Sequence, residues 1–250
     1  AFVSILAVAL GSGAAGALNM WYEADLDSAM TRTCLRPIPT GKVTKKEALI
    51  FGILASVISV TILYLFSNLV ATLILVTTIL FYVFIYTIWL KQETSQNIVI
   101  GGVSGALPPV IGWAIATGNI SLESIILFLI IFIWTPSHFW ALSLYKMEDY
   151  KNANIPMLPV ISGVKVTKLN IFVYALLLFP IILAPFFLNY FGTIYLLISG
   201  TLATYYIYIC YKLFRVQDSN LEEKIAKQVF GFSILFLFLV FTSILIDSIV

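Results

Sequence analysis

Residues 123–144 read ESIILFLIIFIWTPSHFWALSL, an apolar run that is long enough to decide the fold class. An α-helix needs about 20 predominantly apolar residues to cross the hydrocarbon core of a bilayer. Glu123, at the start of the run, is its only charged side chain. The run is too long and too uniformly apolar for a barrel strand, and backbone groups in lipid must be paired within the protein. The stretch therefore predicts a transmembrane helix.

Similar runs recur along the whole chain and predict eight spans in total. They cover residues 1–18, 48–66, 70–90, 98–116, 123–144, 170–188, 193–213 and 229–249. The chain of 250 residues is 61% hydrophobic and 10% charged, and its mean hydropathy is +1.03. Soluble globular domains carry about 25% charged residues, so this composition excludes that class. We predict an all-α, polytopic membrane bundle that forms a single domain over residues 1–250.

The connections between the spans alternate in charge. Those at 19–47, 91–97, 145–169 and 214–228 are charged, whereas those at 67–68, 117–119 and 189–192 are short and nearly neutral. All 14 Lys and Arg residues lie in or beside the charged connections, and among the 12 acidic residues only Glu123 and Asp247 lie elsewhere. Under the positive-inside rule these connections face the cytoplasm or its equivalent. The net charge of +2 gives no indication of a nucleic-acid partner, and we expect none.

The start of the chain indicates a missing segment. Ala1 already lies within an apolar run, with no charged segment or cleavage site before it, so a signal peptide is not indicated. We expect an N-terminal helix to be absent from this sequence, which would give nine spans. Cys34 and Cys210 have no metal-like spacing, so neither a disulfide nor a zinc site is predicted.

The first candidate site lies at the inner end of the first span. If that helix continues, Asn19, Glu23 and Asp27 are spaced i, i+4 and i+8, which places them on one stripe. Oxygen-bearing side chains in such a stripe suit a hard cation such as Mg²⁺, which also takes phosphate oxygens as ligands. The alternative is a solvated helix end at the membrane surface.

Cations near this stripe are candidate phosphate ligands. Arg32 and Arg36 follow it in the same connection, and Lys91 lies in the next charged connection. The planar guanidinium matches phosphate oxygens. Anchoring of the helix ends under the positive-inside rule is the alternative for all three, and for Lys91 we weigh the two equally.

The second candidate site lies in the third charged connection, where Lys146, Asp149 and Lys151 interleave acid and base. Two acidic patches around a diphosphate would allow Mg²⁺ to neutralise the charge on a departing oxygen. Pro108–Pro109 must break or kink the fourth span, and the carbonyls so freed need a buried or wet environment. We therefore predict a cavity nearby.

His138 is the only histidine and lies four residues after Trp134 within a span. Polar residues inside spans are often functional, but a lone histidine can also be a satisfied packing residue. A single histidine excludes a haem held by two histidines of this chain.

These residues together resemble a known family. Asn19–Asp27 with Arg32-Thr33 and Arg36-Pro37, Thr94–Trp113, and Trp134–Val160 resemble the protohaem IX farnesyltransferase (haem O synthase) family, a branch of the intramembrane polyprenyl (UbiA-type) transferases. The resemblance implies a nine-helix bundle around a central cavity that opens laterally to lipid. Glu23 departs from the Asp expected at the middle of the first motif. The second motif is usually richer in Asp than it is here, and Asp149 is its firmest member.

The resemblance also implies the reaction, which transfers a farnesyl group from farnesyl diphosphate to a vinyl group of haem B. Mg²⁺ is the implied cofactor, with Asn19, Glu23, Asp27 and Asp149 as ligands. The diphosphate would be held by Asn19, Arg32, Arg36, Lys91, Lys146 and Lys151, and catalysis would depend on Asp27, Arg36, Lys91 and Asp149. His138 and Trp134 would contact the porphyrin.

The resemblance places the chain in the lipid bilayer of a bacterial plasma membrane or, as the alternative, a mitochondrial inner membrane. The active site would face the cytoplasm or matrix. Downstream haem A synthase or cytochrome oxidase assembly factors are expected partners. Two other functions stay open: a polyprenyl transferase for a quinone or chlorophyll precursor, and a membrane transporter. A transporter should carry ionisable residues near the midplane, and the spans here have almost none.

Overall fold

The computed structural model describes residues 2–249, and every regular element among them is helical. Eight helical segments are long and apolar enough to cross a membrane, and each overlaps one predicted span. They are Phe2–Tyr22, Lys45–Phe66, Leu69–Glu93, Asn97–Thr117, Leu122–Tyr145, Leu158–Phe187, Thr193–Arg215 and Ser219–Asp247. The prediction of an all-α membrane protein with eight spans in this chain is therefore confirmed.

The described residues divide into two compact units. Unit 1 is the part up to Phe128 together with Glu148–Pro156, and unit 2 is Leu129–Met147 together with the part from Met157 onward. The prediction that residues 1–250 form one domain stays a prediction.

Unit 1 begins with α1 (Phe2–Tyr22), which packs closely on α3 (Lys45–Phe66) through small residues. Ser59 donates a hydrogen bond from Oγ to the Ala7 carbonyl at 2.7 Å. A Cβ at Gly52 would lie 2.6 Å from the Leu18 side chain. Helices in membranes associate through such close backbone approach rather than through a hydrophobic driving force. This packing fixes the axis of α1, whose inner end carries the acidic stripe.

The rest of unit 1 consists of interrupted helices. The short helix α2 (Ala24–Ala29) follows α1, and α4 (Leu69–Leu80) continues into a π-helix (Phe81–Leu90) and α5 (Lys91–Glu93). The fourth span is broken into α6 (Asn97–Ala106) and α7 (Pro108–Thr117), as the two prolines predict. Most of α9 (Met147–Asn152), which belongs to the third charged connection, is part of unit 1.

Unit 2 contains the larger part of α8 (Leu122–Tyr145), with α10 (Leu158–Phe187), α11 (Thr193–Arg215) and α12 (Ser219–Asp247). Two of its helices begin earlier than the sequence indicates, α10 at Leu158 instead of 170 and α12 at Ser219 instead of 229. Paired charges explain the longer α12: the buried Lys168 ammonium donates to the Val216 carbonyl at 2.7 Å and to Glu222 at 2.6 Å. A positive φ of 79° at Gly163 kinks α10.

Candidate active site

The acidic stripe forms as the spacing predicts, although the helix is interrupted at Glu23. Backbone hydrogen bonds from Glu23 N to Asn19 O (2.9 Å) and from Asp27 N to Glu23 O (2.8 Å) keep the i, i+4 repeat across the interruption. Asn19, Glu23 and Asp27 are only 5%, 2% and 2% exposed. A solvated helix end would be exposed, so that alternative does not describe this stripe.

Asp27 is paired with Arg36. The Arg36 Nη1 atom donates to both carboxylate oxygens of Asp27, at 2.9 and 2.8 Å. The loop between them is held by the buried Thr33, whose hydroxyl donates to the Asp27 carbonyl at 3.0 Å. The guanidinium is 30% exposed whereas the carboxylate is 3% exposed. Arg36 therefore neutralises the buried Asp27 carboxylate, while its own side chain is partly exposed.

Glu23 is paired with Lys91 across 68 positions of sequence. The Lys91 ammonium donates to Glu23 Oε2 at 2.5 Å, and the buried Asn97 amide donates from Nδ2 to the Lys91 carbonyl at 3.0 Å. Glu23 Oε1 and Asn97 Oδ1 are buried without a hydrogen-bond partner. A buried acceptor without a donor costs about 1–3 kcal/mol, so a ligand that reached either oxygen would supply a missing interaction.

The π-helix decides which side chains face the stripe. Tyr82 and Lys91 are nine residues apart, and in an α-helix of 3.6 residues per turn they would point in opposite directions. Because a π-helix closes hydrogen bonds from i to i+5, residues four or five apart lie nearly above one another, and Tyr82, Thr87 and Lys91 share one face. The buried Asn19 amide donates to Thr87 Oγ1 at 3.2 Å. This bond joins that face to the stripe.

The third charged connection meets the first through two adjacent pairs. The Thr31 hydroxyl donates to Asp149 Oδ2 at 2.6 Å, and the Arg32 guanidinium lies within electrostatic range of the Tyr150 hydroxyl. Burial raises the pKa of Tyr150, and the neighbouring Arg32 guanidinium opposes that rise. The structure therefore brings Asp149 to the loop that follows the acidic stripe, inside unit 1.

An apolar cavity of about 220 Å³ lies in unit 1, where the broken fourth span predicts one. Its walls include Gly16, Tyr82, Gly105 and Pro108. Tyr82 also lies within electrostatic range of the charged groups Glu23, Arg36, Arg32 and Asp27. Glu23, Asp27, Arg32, Arg36 and Lys91 are called the charged cluster below. The cavity and this cluster meet at Tyr82.

Four further predicted site residues are Lys146, Lys151, Trp134 and His138. Lys151 is exposed on α9, and Lys146 belongs to unit 2. His138 and Trp134 also belong to unit 2, where their rings stack with centroids 4.3 Å apart. The His138 Nδ1 atom lies 2.6 Å from Ser233 Oγ.

The sequence alone does not identify Thr31, Tyr82, Thr87, Asn97 or Tyr150 as site residues. Thr31 precedes Arg32 and Tyr150 follows Asp149, and this adjacency to predicted site residues is the only sequence feature that indicates them. Tyr82 and Thr87 have no such feature, because the face that they share with Lys91 exists only in a π-helix. Among residues 2–249, no group of three or more His, Cys, Asp or Glu side chains forms a ready metal site.

The model of the UbiA prenyltransferase family matches residues 1–245. The chain belongs to the UbiA prenyltransferase family. It is 57% identical over 249 residues to the protoheme IX farnesyltransferase of Pelagibacter ubique (strain HTCC1062), which covers 100% of this chain and 82% of that relative. The family resemblance read from the sequence is therefore confirmed, and the chain is an integral membrane prenyltransferase.

Solved structures show the same fold. A digeranylgeranylglyceryl phosphate synthase superposes with a TM-score of 0.80 at 21% identity, covering 99% of this chain and 85% of that one. A UbiA homologue from Archaeoglobus fulgidus, bound to GPP and Mg²⁺, superposes with a TM-score of 0.67 at 16% identity, covering 97% and 87%. At these identities the likeness concerns the fold alone.

Proposed function

We propose that this chain transfers the farnesyl group of farnesyl diphosphate to a vinyl group of haem B, giving haem O. The observation that carries the chemistry is the buried cluster of two carboxylates, each paired with a cation, beside an apolar cavity. A prenyl diphosphate has the complementary form, with a charged head and a hydrocarbon chain. The choice of acceptor rests on the 57% identity to a relative named for protoheme IX.

Arg36, Lys91 and Arg32 would bind the diphosphate. Each already lies beside a carboxylate or a tyrosine hydroxyl of the cluster, so their positions are fixed before the substrate arrives. Preorganised donors cost less to assemble around a leaving group than flexible ones do. Lys146 and Lys151 are further proposed contacts of the diphosphate, and Lys151 is exposed on α9.

Although no three carboxylates of residues 2–249 already converge on one point, the stripe offers oxygen atoms that would suit a divalent cation. Glu23 Oε1 is a buried carboxylate oxygen without a hydrogen-bond donor, and Asn19 donates through its nitrogen, which leaves the amide oxygen as its ligand atom. Mg²⁺ prefers such oxygen ligands and binds with several waters. Glu23 and Asp27, with Asn19 and Asp149 as further ligands, would hold it. When bound, it would neutralise charge on the departing diphosphate oxygen.

The reaction balances with water as the final reactant. The C–O bond of the allylic diphosphate breaks, and its electron pair stays on the diphosphate oxygen that Arg36 and Lys91 hold. The vinyl π electrons of the porphyrin form the new C–C bond, which leaves a cation on the adjacent carbon. Water adds there and loses a proton, giving the hydroxyethylfarnesyl group. The apolar cavity would exclude water from the first cation.

The proposed site lies on the cytoplasmic or matrix face, where the cations concentrate. Haem O is lipophilic, so an enzyme or assembly factor that receives it would also be a membrane protein. Haem A synthase and cytochrome oxidase assembly factors are the proposed recipients.

The decisive experiment incubates the purified protein with Mg²⁺, farnesyl diphosphate and haem B, followed by chromatography of the extracted haems. A farnesylated haem that requires all three components is the expected product. Parallel reactions with a quinone precursor test the second candidate acceptor. Turnover of the quinone precursor without any haem product would overturn the choice of acceptor.

A further inference from the structure

Tyr82 occupies the boundary between the charged cluster and the apolar cavity. Its ring is part of the cavity wall, and it lies within electrostatic range of Glu23, Arg36 and Arg32. Under the proposed function, on which this inference rests, the bond that breaks joins a diphosphate to a hydrocarbon chain. The carbon that becomes positive must therefore lie where the charged and apolar environments meet, which is beside Tyr82.

Tyr86, which itself packs against α6, holds the ring at this position. The centroids of Tyr82 and Tyr86 are 5.5 Å apart at an interplanar angle of 34°. Tyr86 is wedged against α6, because a Cβ at Gly101 would overlap its ring. The π-helix keeps Tyr82 on the same face as Lys91, the proposed diphosphate ligand. A ring fixed in this way needs no reorganisation when charge develops.

We propose that Tyr82 is a catalytic residue whose ring stabilises the allylic cation formed when the C–O bond breaks. The electron pair of that bond leaves with the diphosphate, and the ring forms no covalent bond. Its negative quadrupole attracts the positive carbon, and this attraction is strongest where water is excluded. The cation is then consumed by the electron pair of the acceptor.

The test compares substitutions that keep or remove the ring. Tyr82→Phe keeps the π face, Tyr82→Leu removes it, and a series of phenylalanines with one, two and three ring fluorines weakens the quadrupole at nearly constant shape. Tyr64→Leu is the matched control, because Tyr64 is 59% exposed on α3. Rapid-quench single turnovers measure the release of pyrophosphate from farnesyl diphosphate with haem B and Mg²⁺ present, and calorimetry measures the binding of magnesium pyrophosphate.

Tyr82→Leu should slow pyrophosphate release by about 30-fold, while Tyr82→Phe should stay within about threefold of the unaltered protein. Each added fluorine should slow the rate further, and pyrophosphate affinity should not change. Equal rates across the fluorinated series, or a Phe variant as slow as the Leu variant, would overturn the role of the ring. Pyrophosphate release without any farnesylated haem would refute the haem acceptor alone, since the Tyr82 series can still be measured.

Discussion

Thr31 donates a 2.6 Å hydrogen bond to Asp149, which lies 118 positions further along the chain. This bond and the adjacent pair of Arg32 with Tyr150 join the loop after the acidic stripe to the short helix α9. Both pairs lie within unit 1. The two charged connections that the sequence identifies separately are therefore parts of one cluster.

Thr31→Val should weaken substrate binding, because it leaves Asp149 without the hydroxyl that positions it. A hydrogen bond to a charged group contributes about 1.5–3 kcal/mol, and exposure of this pair reduces that value, so we expect a 3- to 10-fold increase in KM for farnesyl diphosphate. Thr61→Val is the control, since Thr61 bonds only to the Val57 carbonyl of its own helix. An unchanged KM in Thr31→Val would show that Asp149 does not depend on this bond.

Arg36→Gln should both destabilise the protein and abolish activity, because it leaves the buried Asp27 carboxylate uncompensated. Breaking a buried pair costs about 3–5 kcal/mol, and the 30% exposure of Arg36 should reduce this to about 2 kcal/mol. The double variant Arg36→Gln with Asp27→Asn should recover thermal stability, since it carries no unpaired charge, but should remain inactive. Thermal unfolding in detergent and the haem assay measure the two effects. Activity in the double variant would exclude both residues from catalysis.

The number and polarity of the spans could be predicted from the sequence, because they depend on the length of apolar runs and on where cations fall. The ends of α10 and α12 could not. Lys168 is accepted inside a helix only because Glu222 and the Val216 carbonyl neutralise it, and such pairing is a tertiary contact. A hydropathy scale assigns every lysine the cost of a solvated charge, so the predicted span begins only after Lys168.

The acidic stripe could also be predicted, because the spacing of Asn19, Glu23 and Asp27 follows the helical repeat. The helix face that lies opposite the stripe could not be predicted. Whether Tyr82, Thr87 and Lys91 point the same way depends on ten residues adopting the π form, and no local pattern of residue types signals that choice. The sequence therefore identifies the residues of the acidic stripe, but on the facing π-helix side it identifies only Lys91.

Filling the cavity should change the preferred length of the prenyl chain. A Cβ at Gly16 or Gly105 would meet no atom within 4 Å, so Gly16→Val and Gly105→Val should fold while they reduce the open volume. The ratio of kcat/KM for geranyl to farnesyl diphosphate should rise by about tenfold in each variant. Gly13→Val is the matched control, because its Cβ also has open space but lies outside the cavity wall. An unchanged ratio would show that the chain binds elsewhere.

Tyr150 should give the protein an alkaline loss of stability. Burial raises its pKa in the folded state, so folding favours the protonated hydroxyl. This contribution is fully present below the ordinary pKa of about 10 and is lost as the pH rises through the folded-state value. Tyr150→Phe should therefore show a smaller fall in melting temperature between pH 9 and 11 than the unaltered protein. Parallel pH curves would contradict this assignment.

Gly101→Ala should move the π-helix without touching any charged residue. Its Cβ would overlap the ring of Tyr86, which lies between Tyr82 and Lys91 on the π-helix. The overlap extends to Tyr86 Cγ, the ring atom nearest the backbone, at 3.0 Å. We therefore expect the π-helix backbone to move, Lys91 to lose its 2.5 Å contact with Glu23, and kcat/KM to fall about 100-fold.

The control for this change is Gly112→Ala, which adds the same methyl group on α7 where no atom lies within 4 Å. The double variant Gly101→Ala with Tyr86→Leu should recover part of the thermal stability, because the smaller side chain removes the overlap. If the double variant is no more stable than Gly101→Ala alone, the defect does not arise from contact with Tyr86. Wild-type activity in Gly101→Ala would show instead that the position of Lys91 does not depend on how the π-helix packs on α6.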